Sequence, residues 1–231
     1  MKVEIWSDIV CPFCYIGKRK FEQALQQFDG KENVTIEWRS FQLDPAMEYI
    51  AGQSIHEYLG KRKGGTTADG KQMNDNMAAI AKEVGLEYDF ENTIINNTLD
   101  AHRLLHLSKK AGLQNEMKER LFAAYYTQGK NIGDFDTLIE LGTEVGLNAA
   151  EIRTMLESNL YANEVEKDQM VAQQIGATGV PFYVFDNKYA VSGAQPAEVF
   201  KQVMDKIMEE QKPTILGASG EGCCTAEGVC N

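Results

Sequence analysis

Cysteine is absent from residues 15–222 of this 231-residue chain. Two cysteines sit near the start and three in the last nine residues. Five so unevenly placed cannot make a disulfide scaffold. Long apolar runs are also missing. No stretch approaches about 18 consecutive apolar residues, so no membrane-spanning helix is expected. Basic charge is scarce: 23 Lys and Arg stand against 34 Asp and Glu, a net charge of −11. An acidic chain repels polyphosphate and anionic lipid, which argues against nucleic-acid and membrane partners. The opening Met1-Lys2-Val3-Glu4-Ile5 lacks the apolar core of a signal peptide. A cytoplasmic protein is the expectation. No P-loop, dinucleotide fingerprint or hydrolase elbow is present, so no bound nucleotide is implied.

What remains is ordinary for a soluble protein: 43% hydrophobic and 25% charged residues. Val3–Ser7 alternates like a strand, and Trp6 adds β-propensity. Pro12 suits a first helical position. Phe13, Ile16, Phe21, Leu25 and Phe28 then recur at roughly helical spacing until Asp29-Gly30. Residues 34–38 read as a second strand, parallel to the first because one helix connects them.

From about Ser54 to Gly176 the pattern is helical. Ser54 with Glu57 is a capping-box signal, and Asn148 with Glu151 opens a later helix. Met73, Met77, Ile80 and Val84 form one core stripe; Leu113, Met117, Leu121 and Tyr125 another; Leu138, Leu141 and Val145 a third. Gly85, Gly112 and Gly146 each follow a helical segment and precede a leucine, as left-handed caps do. Gly64, Gly65 and Gly70 read as a flexible loop.

After Gly176 the runs shorten. Residues 182–185 and 189–191 flank an Asp186-Asn187 turn and make a hairpin. Pro196 then opens a helix with Val199, Phe200, Val203 and Ile207 on one face. The order is β-α-β, a helical block, then β-β-α. The expected class is therefore α/β. Residues 1–50 and 176–211 form one domain, 51–175 an all-α insertion, and 212–231 a mobile cysteine-bearing tail.

Cys11-Pro12-Phe13-Cys14 places a C-x-x-C pair where a strand gives way to a helix. Unpaired N–H groups and a partial positive charge at that helix start favour a thiolate. Cys11 is then the nucleophile, with an expected pKa of roughly 4–6.5. Cys14, one turn later, is placed to resolve a mixed disulfide. Pro12 fixes the helical φ between them. The alternatives are half a zinc site or two inert core thiols. A zinc site needs about four ligands, and the N-terminal half has no second pair. Thr178-Gly179-Val180-Pro181 precedes the third strand. Pro181 must mark a strand entry, its bond to Val180 can be cis, and the Val180 backbone would face the dithiol. Asp8, three residues before Cys11, either relays a proton to or from Cys14 or caps the helix.

These pieces resemble the FrnE-like cytoplasmic branch of the DsbA family, thiol–disulfide oxidoreductases with a thioredoxin fold and a helical insertion. The resemblance spans about residues 1–210. It is carried by residues 7–17, Trp38-Arg39-Ser40-Phe41-Gln42-Leu43, Asn97-Thr98, Ala101-His102-Arg103-Leu104, Ala124-Tyr125-Tyr126, residues 176–182 and Ser192-Gly193-Ala194-Gln195-Pro196. It implies a thioredoxin fold and a redox-active dithiol with no bound cofactor. Its implied partners are protein thiols and disulfides, with glutathione or a thioredoxin-type protein as reductant. The same branch includes 2-hydroxychromene-2-carboxylate isomerases and kappa-class glutathione transferases, which carry Ser at the position of Cys11. Periplasmic DsbA has His where this chain has Phe13, so a less acidic Cys11 and a less oxidising disulfide are implied.

Asn97 and His102 are candidate substrate-facing residues. His102 and His106 lie four apart on one helix, but no third metal ligand accompanies them. Cys224 and Cys230 are a candidate second redox pair, provided that the last helix ends near the dithiol. Rival functions are a glutathione-dependent isomerase or transferase on a small molecule, and a chaperone-like or metal-buffering protein using Cys223, Cys224 and Cys230.

Overall fold

A computed structural model describes residues 1–50 and 52–211. β1 (Lys2–Ser7) leads into α1 (Pro12–Gln26) and back through β2 (Thr35–Ser40). Seven helices follow: α2 (Ile55–Arg62), α3 (Thr67–Lys82), α4 (Leu99–Lys110), α5 (Gln114–Tyr126), α6 (Phe135–Val145), α7 (Ala149–Leu156) and α8 (Ala162–Gln174). β3 (Phe182–Phe185), β4 (Tyr189–Ser192) and α9 (Ala197–Gln211) complete the described residues. The sheet order is β2-β1-β3-β4, with β2 parallel to β1 and the other pairs antiparallel. This is the expected β-α-β plus β-β-α sheet, interrupted by helices.

Local chemistry accounts for most boundaries. Asp186 and Asn187 take φ of 46° and 54°, the pair of left-handed residues that a tight hairpin needs. Gly85, Gly112 and Gly146 are left-handed at φ +76°, +74° and +104°. After each, the leucine N–H donates back to a carbonyl in the last helical turn: Leu86 to Ala81, Leu113 to Ser108, Leu147 to Gly142. Ser54 and Asn148 cap α2 and α7, Ser54 by accepting from His56 N–H and not through the expected box with Glu57, which pairs with Lys61.

Two core regions flank the dithiol. Val3, Ile5 and Trp38 on one sheet face pack with Phe21 of α1 and Phe200, Met204 and Ile207 of α9. Around Cys11 and Cys14, the inserted helices contribute Leu104, Leu121, Phe122, Tyr125 and Tyr126. The other sheet face is partly ionic. Arg39 donates to Glu4 and, at 3.0 Å, to Asp168 of α8. Asp168 also accepts from Ser40 N–H at 2.9 Å and lies 3.3 Å from His106 Nε2. Its backbone carbonyl accepts from the Trp6 indole at 2.8 Å.

Three expectations change here. Gly70 lies inside α3, not in a loop. A methyl group there would overlap the His56 carbonyl, and one on Gly60 would overlap the Thr66 carbonyl. These glycines let α2 and α3 touch backbone to backbone. That packing turns Gly70, Asn74 and Ala81 inward and leaves Met73 and Ile80 exposed, while Met77 and Val84 pack half-buried against the core, so only half of the expected stripe is core. The third change concerns the end of α9. Gln211 donates to the Asp186 carboxylate, which also accepts from Lys2 N–H. The described chain thus ends beside the start of β1, while Cys11 follows its far end. Six strand residues separate these ends by about 17–20 Å. The last helix therefore does not end near the dithiol. Cys223, Cys224 and Cys230 lie outside the described residues.

Candidate active site

The end of β1 delivers the dithiol. Cys11 occupies the N-cap of α1 in extended geometry, and Pro12 opens the helix. Cys14 N–H donates to the Cys11 carbonyl at 2.9 Å, so both cysteines sit in one tight turn. Both are free thiols and both are buried, Cys11 at 4% and Cys14 at 0% exposure. Among the described residues, what exposure the pair has is on the Cys11 side. The Val180–Pro181 bond is cis. Cys11 Sγ donates to the Val180 carbonyl at 3.4 Å, which places that backbone against the dithiol as the sequence suggests. Phe13 does not join the apolar stripe; it projects beside the cysteines at 44% exposure.

The expected low pKa of Cys11 is reversed. The Cys14 thiol hydrogen-bonded to it, burial, the Cys14 charge and the Asp8 carboxylate all push the Cys11 thiol up. Only the Cys14 backbone N–H pulls it down.

Asp8 is fully buried and does not cap α1, which has no side-chain cap. One carboxylate oxygen accepts from Leu43 N–H at 2.8 Å, and the other meets His102 Nε2 at 3.2 Å. Burial alone would raise its pKa, but the His102 bond, the Leu43 N–H and the Lys118 charge hold it below the ordinary value. His102 is itself 0% exposed, so it is not substrate-facing. Burial pushes its pKa down against the pull of Asp8. A neutral imidazole then donates from Nε2, and Nδ1 has no partner. Asn97 is also drawn away from substrate: it donates to the Pro45 and Met47 carbonyls and accepts from Gln42 and Leu99. It fastens the loop after β2. His106 meets Ser40 and Asp168, not His102. Among the described residues no cluster of three or more His, Cys, Asp or Glu could hold a metal.

A cavity of about 550 Å³ opens at Cys11. Val10, Cys11, Pro12, Phe13, Gly179 and Val180 form one wall, and the inserted helices form the other. That second wall carries Ile55, Leu59, Met73, Met77, Phe90, Ile95 and Tyr125, so it is largely apolar. Asp44, Tyr58 and Arg62 are bonded together on its lining. Met73 and Met77, which spacing places in a core stripe or along an adaptable groove, line this cavity, and Met77 also packs against the core. Polarizable, unbranched side chains adapt to varied apolar partners. A second groove, about 690 Å³, lies against α4 and α7 and is lined by no cysteine.

Several residues that build this site gave little sign in the sequence. Tyr88 donates to the Pro12 carbonyl at 2.7 Å and stacks on Tyr126, tying the insertion to the dithiol turn. Lys118 is 0% exposed and reaches the Ser7 carbonyl at 3.5 Å. One signal for it existed: Lys118 shares a helical face with Leu121, Phe122 and Tyr125.

Residues 2–205 match the DSBA-like thioredoxin domain family. An uncharacterized protein of Bacillus subtilis, YwbO, is 28% identical over 225 residues, covering 91% of this chain and 97% of that protein. The crystal structure of a probable DsbA oxidoreductase from Streptomyces coelicolor is 39% identical, with a TM-score of 0.86 over 99% of this chain and 97% of that one. A cytosolic disulfide reductase of Pseudomonas aeruginosa, DsbM, shares the fold at a TM-score of 0.60 and 16% identity, covering 91% of this chain and 100% of that one. No helix among the described residues is long and apolar enough to cross a membrane. With a match over nearly its whole length, and with a thioredoxin-type sheet carrying an inserted helical layer, the chain belongs to the DSBA-like thioredoxin domain family.

Proposed function

We propose that the chain is a cytoplasmic protein thiol–disulfide oxidoreductase that works mainly as a reductase or isomerase. The observation that carries this reading is the Cys11–Cys14 pair at a helix start, with Val180 backbone and an apolar cavity beside Cys11. Cys11 thiolate attacks one sulfur of a substrate disulfide and expels the other as thiolate. Cys14 then attacks Cys11 Sγ, expels the substrate's remaining thiolate and closes the Cys11–Cys14 disulfide. Two electrons pass from the dithiol to the substrate, and the two thiol protons end on the released sulfurs. The dithiol is the redox centre, so the reaction requires no bound cofactor. Glutathione or a thioredoxin-type protein restores the dithiol.

The direction follows from the thiols. A raised Cys11 pKa, with uncharged Phe13 beside it, withholds the thiolate stabilisation that makes a disulfide strongly oxidising. At a potential of about −200 mV against a cytosolic poise near −280 mV, the ~80 mV gap is worth roughly 4 kcal/mol, or ~500-fold toward the dithiol.

Reduction of insulin disulfides with a thioredoxin-type recycling system tests the reading. Unaltered protein should turn over, and Cys11→Ser and Cys14→Ser should both lose that turnover. The rival small-molecule glutathione chemistry uses one sulfur only. Full retention of activity by Cys14→Ser would favour it.

A further inference from the structure

Much of the wall facing Cys11 is one helical hairpin, and its outer end is held only at its edges. α2 and α3 pack chiefly on each other, and neither lies broadly against another helix or strand. The base of the hairpin joins the core through Ile55 at the start of α2 and through Met77, Ala78 and Ala81 near the end of α3. Beyond that base, Leu59 and Met73 line the cavity across from Cys11, Phe13 and Val180. Apolar faces held apart by a void gain little attraction from one another. Polar bonds fasten the outer end instead. Arg62 donates to the Asp44 carboxylate at 2.7 Å and to the Leu43 carbonyl at 3.4 Å, and Tyr58 donates to Asp44 at 3.3 Å. Asp44 itself belongs to the loop after β2, where Leu43 N–H is bonded to Asp8 and Asn97 holds the Pro45 and Met47 carbonyls. Lys71 of α3 also pairs with Glu91 at 3.0 Å. The side chains of these two ion pairs are 32–67% exposed, and exposed pairs release easily. Beneath the hairpin Cys11 is only 4% exposed. A small disulfide can enter the cavity and meet it. A disulfide carried on a folded protein cannot reach so deep a thiol while the hairpin is in place.

We propose, resting on the dithiol reading, that the α2–α3 hairpin is a lid over Cys11, and that its clasp on Asp44, made by Tyr58 and Arg62, sets the size of disulfide that the protein reduces. With the clasp closed, the cavity admits a small disulfide with apolar arms. With the clasp open, the hairpin turns about its base at Ile55 and Ala81 and uncovers Cys11. Leu59 and Met73 then face the incoming protein chain. Asp44, Tyr58 and Arg62 touch neither sulfur in this arrangement. They are positioning residues, and the exchange itself stays with Cys11 and Cys14.

Single-turnover oxidation of the reduced full chain, with Cys223, Cys224 and Cys230 replaced by serine, compares insulin with bis(2-hydroxyethyl) disulfide. The quantity read is the ratio of the two rates. Asp44→Ala and Arg62→Met each remove the clasp and change the net charge in opposite directions. Both should raise the insulin-to-small-disulfide ratio about threefold or more, as loss of an exposed ion pair and its neighbouring bond allows. Tyr58→Phe should raise it less. Hydrogen exchange gives a readout independent of the redox chemistry. In both clasp variants residues 55–76 should exchange faster, while β1 and α1 exchange as in the unaltered protein. An unchanged ratio in both variants, a rise in only one of them, or unchanged exchange of the hairpin would overturn the lid. Oxidation of the reduced chain by neither disulfide would overturn the dithiol reading, and hydrogen exchange would then decide the lid by itself.

Discussion

Replacing Cys14 with alanine should turn the protein into a trap. Cys11 still attacks a substrate disulfide, but nothing resolves the product, so a covalent Cys11–substrate species accumulates. Turnover of a protein disulfide should fall on the order of a hundredfold or more, because the two sulfurs act as a unit. Cys11→Ala should trap nothing, since Cys14 is completely buried and cannot meet a large substrate. Non-reducing electrophoresis of the two variants after exposure to an oxidised protein reads the difference. Equal trapping by both variants would contradict the assignment of Cys11 as nucleophile.

The second large effect concerns the ionic layer behind the sheet. Asp168 is 3% exposed and ties Ser40 and Arg39 of β2 to His106 of α4. Asp168→Ala would leave the Arg39 guanidinium and the Ser40 N–H without that carboxylate. Arg39 keeps Glu4 and Glu37, so the loss falls on the unpaired Ser40 N–H and His106 and is expected to destabilise by about 1–3 kcal/mol. The effect carries a pH signature. Burial would raise the Asp168 pKa, but the His106 bond, the Ser40 N–H and Arg39 hold it below the ordinary value. A depressed folded pKa contributes stability that is complete above the unfolded value near 4 and drains away as pH falls through the folded one. Urea midpoints of the two proteins should therefore differ most at neutral pH, and the gap should narrow as pH falls below about 4. A constant gap, or one below about 1 kcal/mol, is what an exposed pair would give and would contradict the network's role.

The sheet and its order were legible because their signals are local. Alternation marks β1, Asp186-Asn187 fixes a hairpin, and glycines at left-handed caps end three helices. The dithiol and the Val180–Pro181 turn were legible for the same reason: each is a short motif at an element boundary. What failed depends on contacts between elements. Asp8 reads as a cap until His102, 94 residues away, takes its carboxylate. Gly70 reads as loop because nothing nearby announces that His56 will sit against it. Met73 and Phe13 have helical spacing, but spacing does not reveal which face a second helix covers. The acidity of Cys11 was inferred from the helix start alone. Of the opposing influences, the Cys14 thiol and the Asp8 carboxylate lie within three residues of Cys11, whereas burial comes from the inserted helices that close over the turn. The cavity is the clearest case, since its far wall comes from residues 55–126, which share no motif with the dithiol.

Equilibration of the full chain against glutathione redox buffers, followed by acid quench, alkylation and peptide mass mapping, measures the redox couple directly. A single two-electron transition should appear, with one bond joining Cys11 to Cys14. Its midpoint should be more negative than about −180 mV, on the reducing side of DsbA-type oxidants near −120 mV. A midpoint near −120 mV would contradict the weak thiolate stabilisation inferred for Cys11, and failure to find a Cys11–Cys14 bond at any potential would contradict the dithiol mechanism.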